Sequence, residues 1–257
     1  MLEVTELSAG YGKIVVIRDI RFVIEKGEVL AIIGPNGAGK STLLWTLSGL
    51  LRSRTGKILY KGQNITGWKS PRISKAGIRH VLQGAQVFQR LTVEDNLVLG
   101  AFQGSASYTE LKTLRGMIYD NFPILQKKQS HPAGSLSGGE RQMVAISAAL
   151  ISNPELLLLD EPSAGLAPLL VAKLFEILAK LRQSMSLTNI LVEQNAEVAL
   201  QFADRGLVIA QGNVVLQGDA KRLMCDEKVR QIYLGVEELE AEGGEDRCPR
   251  CPSPTMG

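Results

Sequence analysis

The run Gly34-Pro35-Asn36-Gly37-Ala38-Gly39-Lys40-Ser41-Thr42 constrains this chain more than any other stretch. It follows the apolar segment Val29-Leu30-Ala31-Ile32-Ile33 and precedes the helix-forming Leu43-Leu44-Trp45-Thr46-Leu47. A β-branched strand in front, a helix behind and G-x-x-x-x-G-K-[ST] between them is the context a P-loop requires. Gly34, Gly37 and Gly39 let the backbone curl around phosphates, and Asn36 and Thr42 belong to the same cradle. Successive N–H groups and a helix N-terminus then face the anion, with Lys40 reaching the terminal phosphates and the Ser41 hydroxyl available to Mg²⁺. An ordinary glycine-rich turn needs none of the motif's fixed positions. The motif therefore implies an α/β fold around a nucleotide site and leaves the reaction open.

Composition narrows the setting. The 257 residues are 45% apolar, normal for a globular protein with a sizeable core. A formal charge of +3, from 29 Lys and Arg against 26 Asp and Glu, is too mild to argue for a nucleic-acid partner, and none is expected. No apolar run approaches the roughly 18 residues of a spanning helix, and Met1-Leu2-Glu3-Val4-Thr5-Glu6 lacks the features of a signal peptide, so the chain is expected to be cytosolic. Only Cys248 and Cys251 of the three cysteines are close in sequence, which argues against a disulfide framework.

Along the chain, Leu2–Leu7 and Ile20–Ile24 alternate apolar and polar residues and flank Ser8-Ala9-Gly10-Tyr11-Gly12. That reads as an antiparallel strand pair with Tyr11 in the connecting loop. Gly49 and Arg52–Gly56 read as a turn, and Lys57–Gly62 as a further strand of a small β layer. Thr92, ahead of Glu94 and Asp95, signals a helix start, and residues 84–150 read as a helical insertion. Leu156-Leu157-Leu158-Leu159 is a strand buried on both faces, ending in Asp160-Glu161. Pro168 opens a helix with an apolar stripe through Leu170, Val171, Leu174, Phe175, Leu178 and Leu181. Asn189–Val192 is another buried strand, Gln211-Gly212-Asn213 turns a hairpin, and a short helix near Ala220–Tyr233 closes the fold. Residues 237–257 are acidic and poor in large apolar groups, as expected of a disordered tail. Cys248-Pro249-Arg250-Cys251 there is half a zinc site without the other half.

A lone P-loop fits kinases, GTPases, helicases and transporters alike. The discriminating run is Leu136-Ser137-Gly138-Gly139-Glu140-Arg141-Gln142, followed by the helix-like 144–150. Ser137, Gly138 and Gly139 at a helix start make a second anion cradle, which suggests a nucleotide held by a partner subunit. Together with the order of the P-loop, this run and Asp160-Glu161, the chain resembles the ATP-binding subunits of ABC transporters across residues 1–236. The resemblance implies an ABC-type P-loop NTPase core with an antiparallel β subdomain and an α-helical signature subdomain. It further implies ATP and Mg²⁺ bound between two such domains, head to tail, with Ser137 and Gly139 facing the partner's γ-phosphate.

By the same resemblance Tyr11 stacks on adenine, and Gln83 contacts Mg²⁺ and the attacking water while the segment after it touches the membrane subunit. Asp160 holds Mg²⁺ through water, and Glu161 is the general base. A carboxylate beyond a buried strand, beside Mg²⁺ and phosphate, suits that chemistry, since in-line hydrolysis needs little beyond positioning and charge stabilisation. Ser163–Ala167 takes the place of the family's D-loop, with Ala167 where many relatives carry Asp. The departure is Gln194, where most of the family has a His that grips the γ-phosphate; Gln donates a hydrogen bond but carries no charge.

Gln194 is nevertheless usual in one subgroup, which the runs Val192-Glu193-Gln194-Asn195, Ser163–Pro168, Leu91–Leu97 and Tyr233-Leu234-Gly235 also resemble. That subgroup is the second ATPase subunit of importers for branched-chain amino acids and related solutes. The expectation is an ATP hydrolase at the cytoplasmic face of the inner membrane. Its partners would be two transmembrane permease subunits, a second homologous ATPase subunit (a heterodimer, with a homodimer open) and, indirectly, a solute-binding protein. The alternatives are a urea or amide importer, or a non-transport ABC ATPase, which usually carries two nucleotide domains or a long coiled-coil insert.

Overall fold

The computed structural model describes residues 1–102 and 107–234. The chain begins with β1 (Leu2–Tyr11), β2 (Ile14–Ile24), β3 (Val29–Ile33) and α1 (Lys40–Leu47). Next come β4 (Ser53–Tyr60), β5 (Gln63–Asn64), α2 (Ser70–Lys75) and β6 (Ile78–Val81). Four helices follow before another strand: α3 (Val93–Ala101), α4 (Tyr108–Asn121), α5 (Pro123–Lys127) and α6 (Gly138–Leu150). Then β7 (Leu156–Asp160), α7 (Pro168–Met185), β8 (Thr188–Val192) and α8 (Ala196–Phe202) alternate. The chain continues as β9 (Arg205–Ala210), β10 (Asn213–Asp219), α9 (Ala220–Met224) and α10 (Glu227–Leu234).

Two sheets result. The larger runs β10-β9-β3-β8-β7-β6 and is parallel except for β10, which pairs antiparallel with β9 at one edge. The smaller runs β2-β1-β4-β5 and is antiparallel. The parallel strands are buried on both faces, which is why they read as unbroken apolar runs. Leu30, Ile32, Leu156, Leu158, Ile190 and Val192 face the smaller sheet and α1. Their alternates Ala31, Ile33, Leu157, Leu159 and Leu191 face the helical side, packed with Val93, Leu97, Ile118 and Val144. The period of two along each strand thus builds both cores.

Three expectations need correction. Tyr11 is the last residue of β1, paired with Ile14, and not a loop residue. The β1–β2 register shifts three times between Val4 and Gly10, so the strand continues through small residues whose alternation is broken by bulges. The presumed turn at 52–56 is instead the start of β4, from Ser53: Gly56, at φ +89°, lies so close to β1 that a Cβ there would sit 2.5 Å from the Glu6 carbonyl oxygen. The closing helix is two, α9 and α10, divided at Cys225-Asp226. Other signals read directly: Thr92 caps α3 in a reciprocal box with Asp95, and Gln211 and Gly212, at φ +48° and +81°, turn the β9–β10 hairpin. The acidic tail, Gly235 and Cys248-Cys251 lie outside the described residues. Among the described residues, no helix is long and apolar enough to cross a membrane.

Candidate functional site

The C-terminal ends of β3, β7 and β8 converge, and each carries chemistry on the loop that follows. After β3 the backbone folds back on itself at Gly34, where φ is +152° and a Cβ would lie 2.0 Å from the Ile209 carbonyl oxygen. Gly37 has φ +78° with nothing within 4 Å of a Cβ position, so the loop is open on that side. Gly39, at φ +105°, begins α1 directly against Ile17. The hairpin turn at 211–212 braces the loop from behind, Gly212 N donating to Ala38 O at 3.0 Å and Arg18 N to Gly212 O at 2.8 Å.

Lys40 is only 5% exposed and lies across this loop, its Nζ donating to Gly34 O at 2.7 Å and Pro35 O at 3.0 Å. Burial pulls its ammonium below the usual lysine range, while the carboxylates of Glu161, Asp160 and Glu193 push the other way. Two neutral loop carbonyls are weaker partners for an ammonium than a charged oxygen would be. Ser41 donates from Oγ to Asp160 Oδ1 at 3.0 Å, joining α1 to the end of β7. Asp160 is 1% exposed, and burial pushes its carboxyl up to about 6 despite the Ser41 hydrogen bond.

Glu161 has φ +47°, a conformation that a non-glycine residue adopts at a cost of about 1–3 kcal/mol and that concentrates at functional sites. Its amide donates to Val192 O at 2.9 Å and its Oε2 accepts from the exposed Gln83 Nε2 at 2.6 Å. Tyr11 is 44% exposed; its hydroxyl lies 3.4 Å from Thr42 Oγ1, and its ring meets Trp45 edge-on at 6.4 Å. Direct hydrogen bonds therefore tie Lys40 to Gly34, Ser41 to Asp160, and Gln83 to Glu161.

The second glycine pair is built elsewhere. Ser137 caps α6, its Oγ accepting from Glu140 N at 3.3 Å while its own amide donates to Glu140 Oε2 at 2.9 Å. Ser137 and Gly138 are exposed; Gly139 is buried, and its missing side chain admits Leu170 and Leu166, 3.2 and 3.4 Å from a Cβ position. The α6 start is thereby packed on the loop after β7. Gln194 is exposed, one residue beyond the buried Glu193 in the β8–α8 connection.

Sequence reasoning passed over three residues. Trp45 flanks Tyr11; Arg54 gathers the β1–β2 turn, its Nη2 donating to Gly12 O at 2.6 Å and Ile14 O at 2.9 Å; and Glu193 accepts from Ser163 N at 2.9 Å. Only Glu193 left a signal, as a carboxylate ending a buried apolar strand in the way Asp160 does.

A parallel sheet with a glycine-rich strand-to-helix loop, a lysine laid across it and a Ser–Asp pair at the next strand's end defines a P-loop nucleotide-binding protein. The family model described as "ABC transporter" matches residues 17–164, more than half of the chain. The high-affinity branched-chain amino acid transport ATP-binding protein BraG of Pseudomonas aeruginosa is 43% identical over 235 residues, 91% of this chain and 100% of the relative. A probable branched-chain amino acid transport ATP-binding protein, LivF, of Archaeoglobus fulgidus is 37% identical over 92% of this chain and 99% of its own length. The crystal structure of a nucleotide-free ATP-binding cassette from an ABC transporter superposes with a TM-score of 0.81 at 27% identity, covering 93% of this chain and 99% of that one. The chain belongs to the ABC transporter ATP-binding family.

Proposed function

We propose that this chain hydrolyses ATP to power the import of branched-chain or other hydrophobic amino acids. The observation that carries the reading is the end of β7, where Ser41–Asp160 and Gln83–Glu161 hydrogen bonds draw in the start of α1 and the loop after β6 and so gather a phosphate cradle, a candidate metal pair and a candidate base. The kinship with BraG and LivF favours amino acids over urea or amides as cargo, and an importer over a non-transport ATPase.

In this reading Tyr11 stacks on the adenine, the 34–42 loop wraps the phosphates, and Lys40 exchanges its two carbonyl partners for phosphate oxygens. Among the described residues no group of three or more His, Cys, Asp or Glu could hold a metal alone. The Ser41–Asp160 pair instead fits Mg²⁺, a hard cation that keeps several waters and takes one or two carboxylates together with substrate phosphate oxygens. Mg²⁺ there would neutralise charge on the transferred phosphoryl group. Glu161 accepts a proton from the attacking water, which it and Gln83 orient. Gln194 adds a neutral donor near the γ-phosphate.

Ser137, Gly138 and Gly139 serve a nucleotide on another ATPase subunit, a reading supported by the exposure of Ser137 and Gly138 at the helix start. Residues 84–150 form the unit that carries them. A membrane-spanning partner is supported by the apolar surface of α3, where Phe102 is 87% exposed beside a 280 Å³ cavity lined by Leu97, Val98, Ala101, Leu111 and Ile151. Two permease subunits would hold the ATPase pair peripherally at the cytoplasmic face of the membrane.

Phosphate release from Glu161→Gln tests the reading. The variant is expected to bind ATP like the parent, to hydrolyse it at least about a hundredfold more slowly and to accumulate as ATP-bound dimers. Gln194→Ala is expected to lower turnover less. Normal turnover by Glu161→Gln would remove the base assignment, and a larger loss in Gln194→Ala would make Gln194 the principal catalytic group.

A further inference from the structure

Glu193 is buried to 2% exposure at the end of β8, although it carries a carboxylate and sits beside an active-site segment. Burying an ionisable group without a partner is costly, and Glu193 is partnered chiefly from the facing loop: Ser163 N donates to Glu193 Oε1 at 2.9 Å, joined by the Ser163 hydroxyl and by the backbone of Gln194. Two residues earlier on the same loop, Glu161 N donates to Val192 O at 2.9 Å. These bonds join two segments that are distant in sequence, at the last residue of β8 and the residue after it on one side and at alternate positions after β7 on the other. The first lies at the residue read as the base and the second at the entry to 163–167. Beyond Glu193 stands Gln194, and beyond Ser163 stands Leu166, which lies against Gly139 at the start of α6.

The geometry points to Glu193 as a positioning residue that, through the Ser163 amide, fixes the Glu161 loop against the Gln194 segment and the Ser137–Gly139 helix start. A backbone amide and a side-chain oxygen set the register here, so the requirement is for an acceptor at that reach and not for a negative charge. Its removal frees the 161–163 turn, where Glu161 already occupies an unfavourable φ. Lys40 feels the Glu193 carboxylate less than those of Glu161 and Asp160, and it, the P-loop and Tyr11 are held by other bonds, so nucleotide affinity is left largely intact. This inference rests on the proposed ATP hydrolysis.

The test compares Glu193→Gln, which keeps an acceptor oxygen at the same reach, with Glu193→Met, which keeps the length without an acceptor. Both are measured in the full-length chain, alone and in the assembly it co-purifies with, for ATP turnover, KM and fluorescent ATP-analogue binding. Glu193→Met is expected to lose about tenfold in kcat with KM within about twofold, the size of one lost hydrogen bond acting on the transition state. Glu193→Gln is expected to stay within about threefold of the parent. If Met yields no folded chain, Glu193→Asp, which withdraws the acceptor by one methylene, is expected to show the same split. Unchanged kcat in the acceptor-less variant overturns the inference, as does equal loss in Gln and Met, or a rise in KM at constant kcat. A parent chain that releases no phosphate would instead overturn the proposed hydrolysis, whereas an inactive Glu161→Gln beside a fully active Glu193→Met removes only the positioning role.

Discussion

Tyr11 and His80 show how differently an exposed and a largely buried aromatic residue behave. Tyr11 lies beside the P-loop, and its hydroxyl contact to Thr42 is long at 3.4 Å, so in the proposed site the ring and not the hydroxyl would carry the recognition. Base stacking on an aromatic contributes about 1–3 kcal/mol, so Tyr11→Ala should weaken ATP binding about ten- to a hundredfold. Tyr11→Phe should leave it within about threefold, and inorganic tripolyphosphate should bind both variants alike; titration with the two ligands checks this. His80 instead turns inward from β6, with Nδ1 3.0 Å from Ser48 Oγ and Nε2 sealed from solvent without a partner. Burial lowers its pKa from 6.5 to about 4. The unfolded chain therefore binds the extra proton first, and His80 makes the fold less stable as pH falls from about 6.5 towards 4, by about 3 kcal/mol across that window. Urea midpoints measured from pH 7 to pH 4 should fall less steeply in His80→Gln than in the parent. Parallel curves would show that His80 is not the titrating group.

At the scale of elements, the clearest sequence signals were those with a local cause. Thr92 and Asp95 exchange hydrogen bonds within one turn, Thr92 Oγ1 to Asp95 Oδ2 at 2.6 Å and Asp95 N to Thr92 Oγ1 at 3.0 Å, and no distant residue is needed to read them. Thr92→Ala removes one side of that box and should cost about 1 kcal/mol. For a domain of this size that is a fall in Tm of about 2–4 °C, checked by calorimetry, with ATP affinity unchanged. The P-loop and the buried strands were legible for the same reason: φ demands and double-sided burial are written into consecutive residues. What stayed hidden depends on contacts between distant segments. Tyr11 was read as loop because bulged pairing with β2 and β4 was needed to carry β1 that far. Gly56 looked like a turn because only the approach of β1 explains its positive φ. Glu193 showed its place after a buried strand, but not its partner, until the fold set Ser163 against it.

Across the whole molecule, in the proposed function, the cradle at 34–42 and the helix start at 137–139 belong to one chemical site that a single chain would not close. Turnover per chain should therefore rise with chain concentration and saturate, and sedimentation of Glu161→Gln should shift to a dimer on adding ATP. Turnover strictly proportional to concentration, with no ATP-dependent shift, would mean that the chain works alone.

The hairpin turn behind the P-loop also sets a timetable. Gly34 faces the Ile209 carbonyl, and Gly212 bonds to both Ala38 and Arg18. The phosphate loop is encoded near the beginning of the chain, yet the turn that bonds to it from behind is encoded some 170 residues later, so on the ribosome an emerging P-loop has β2 beside it but lacks its Gly212 bond until the β9–β10 turn has been made. In the proposed function, a complete phosphate cradle therefore waits on one of the last strands of the sheet to be synthesised.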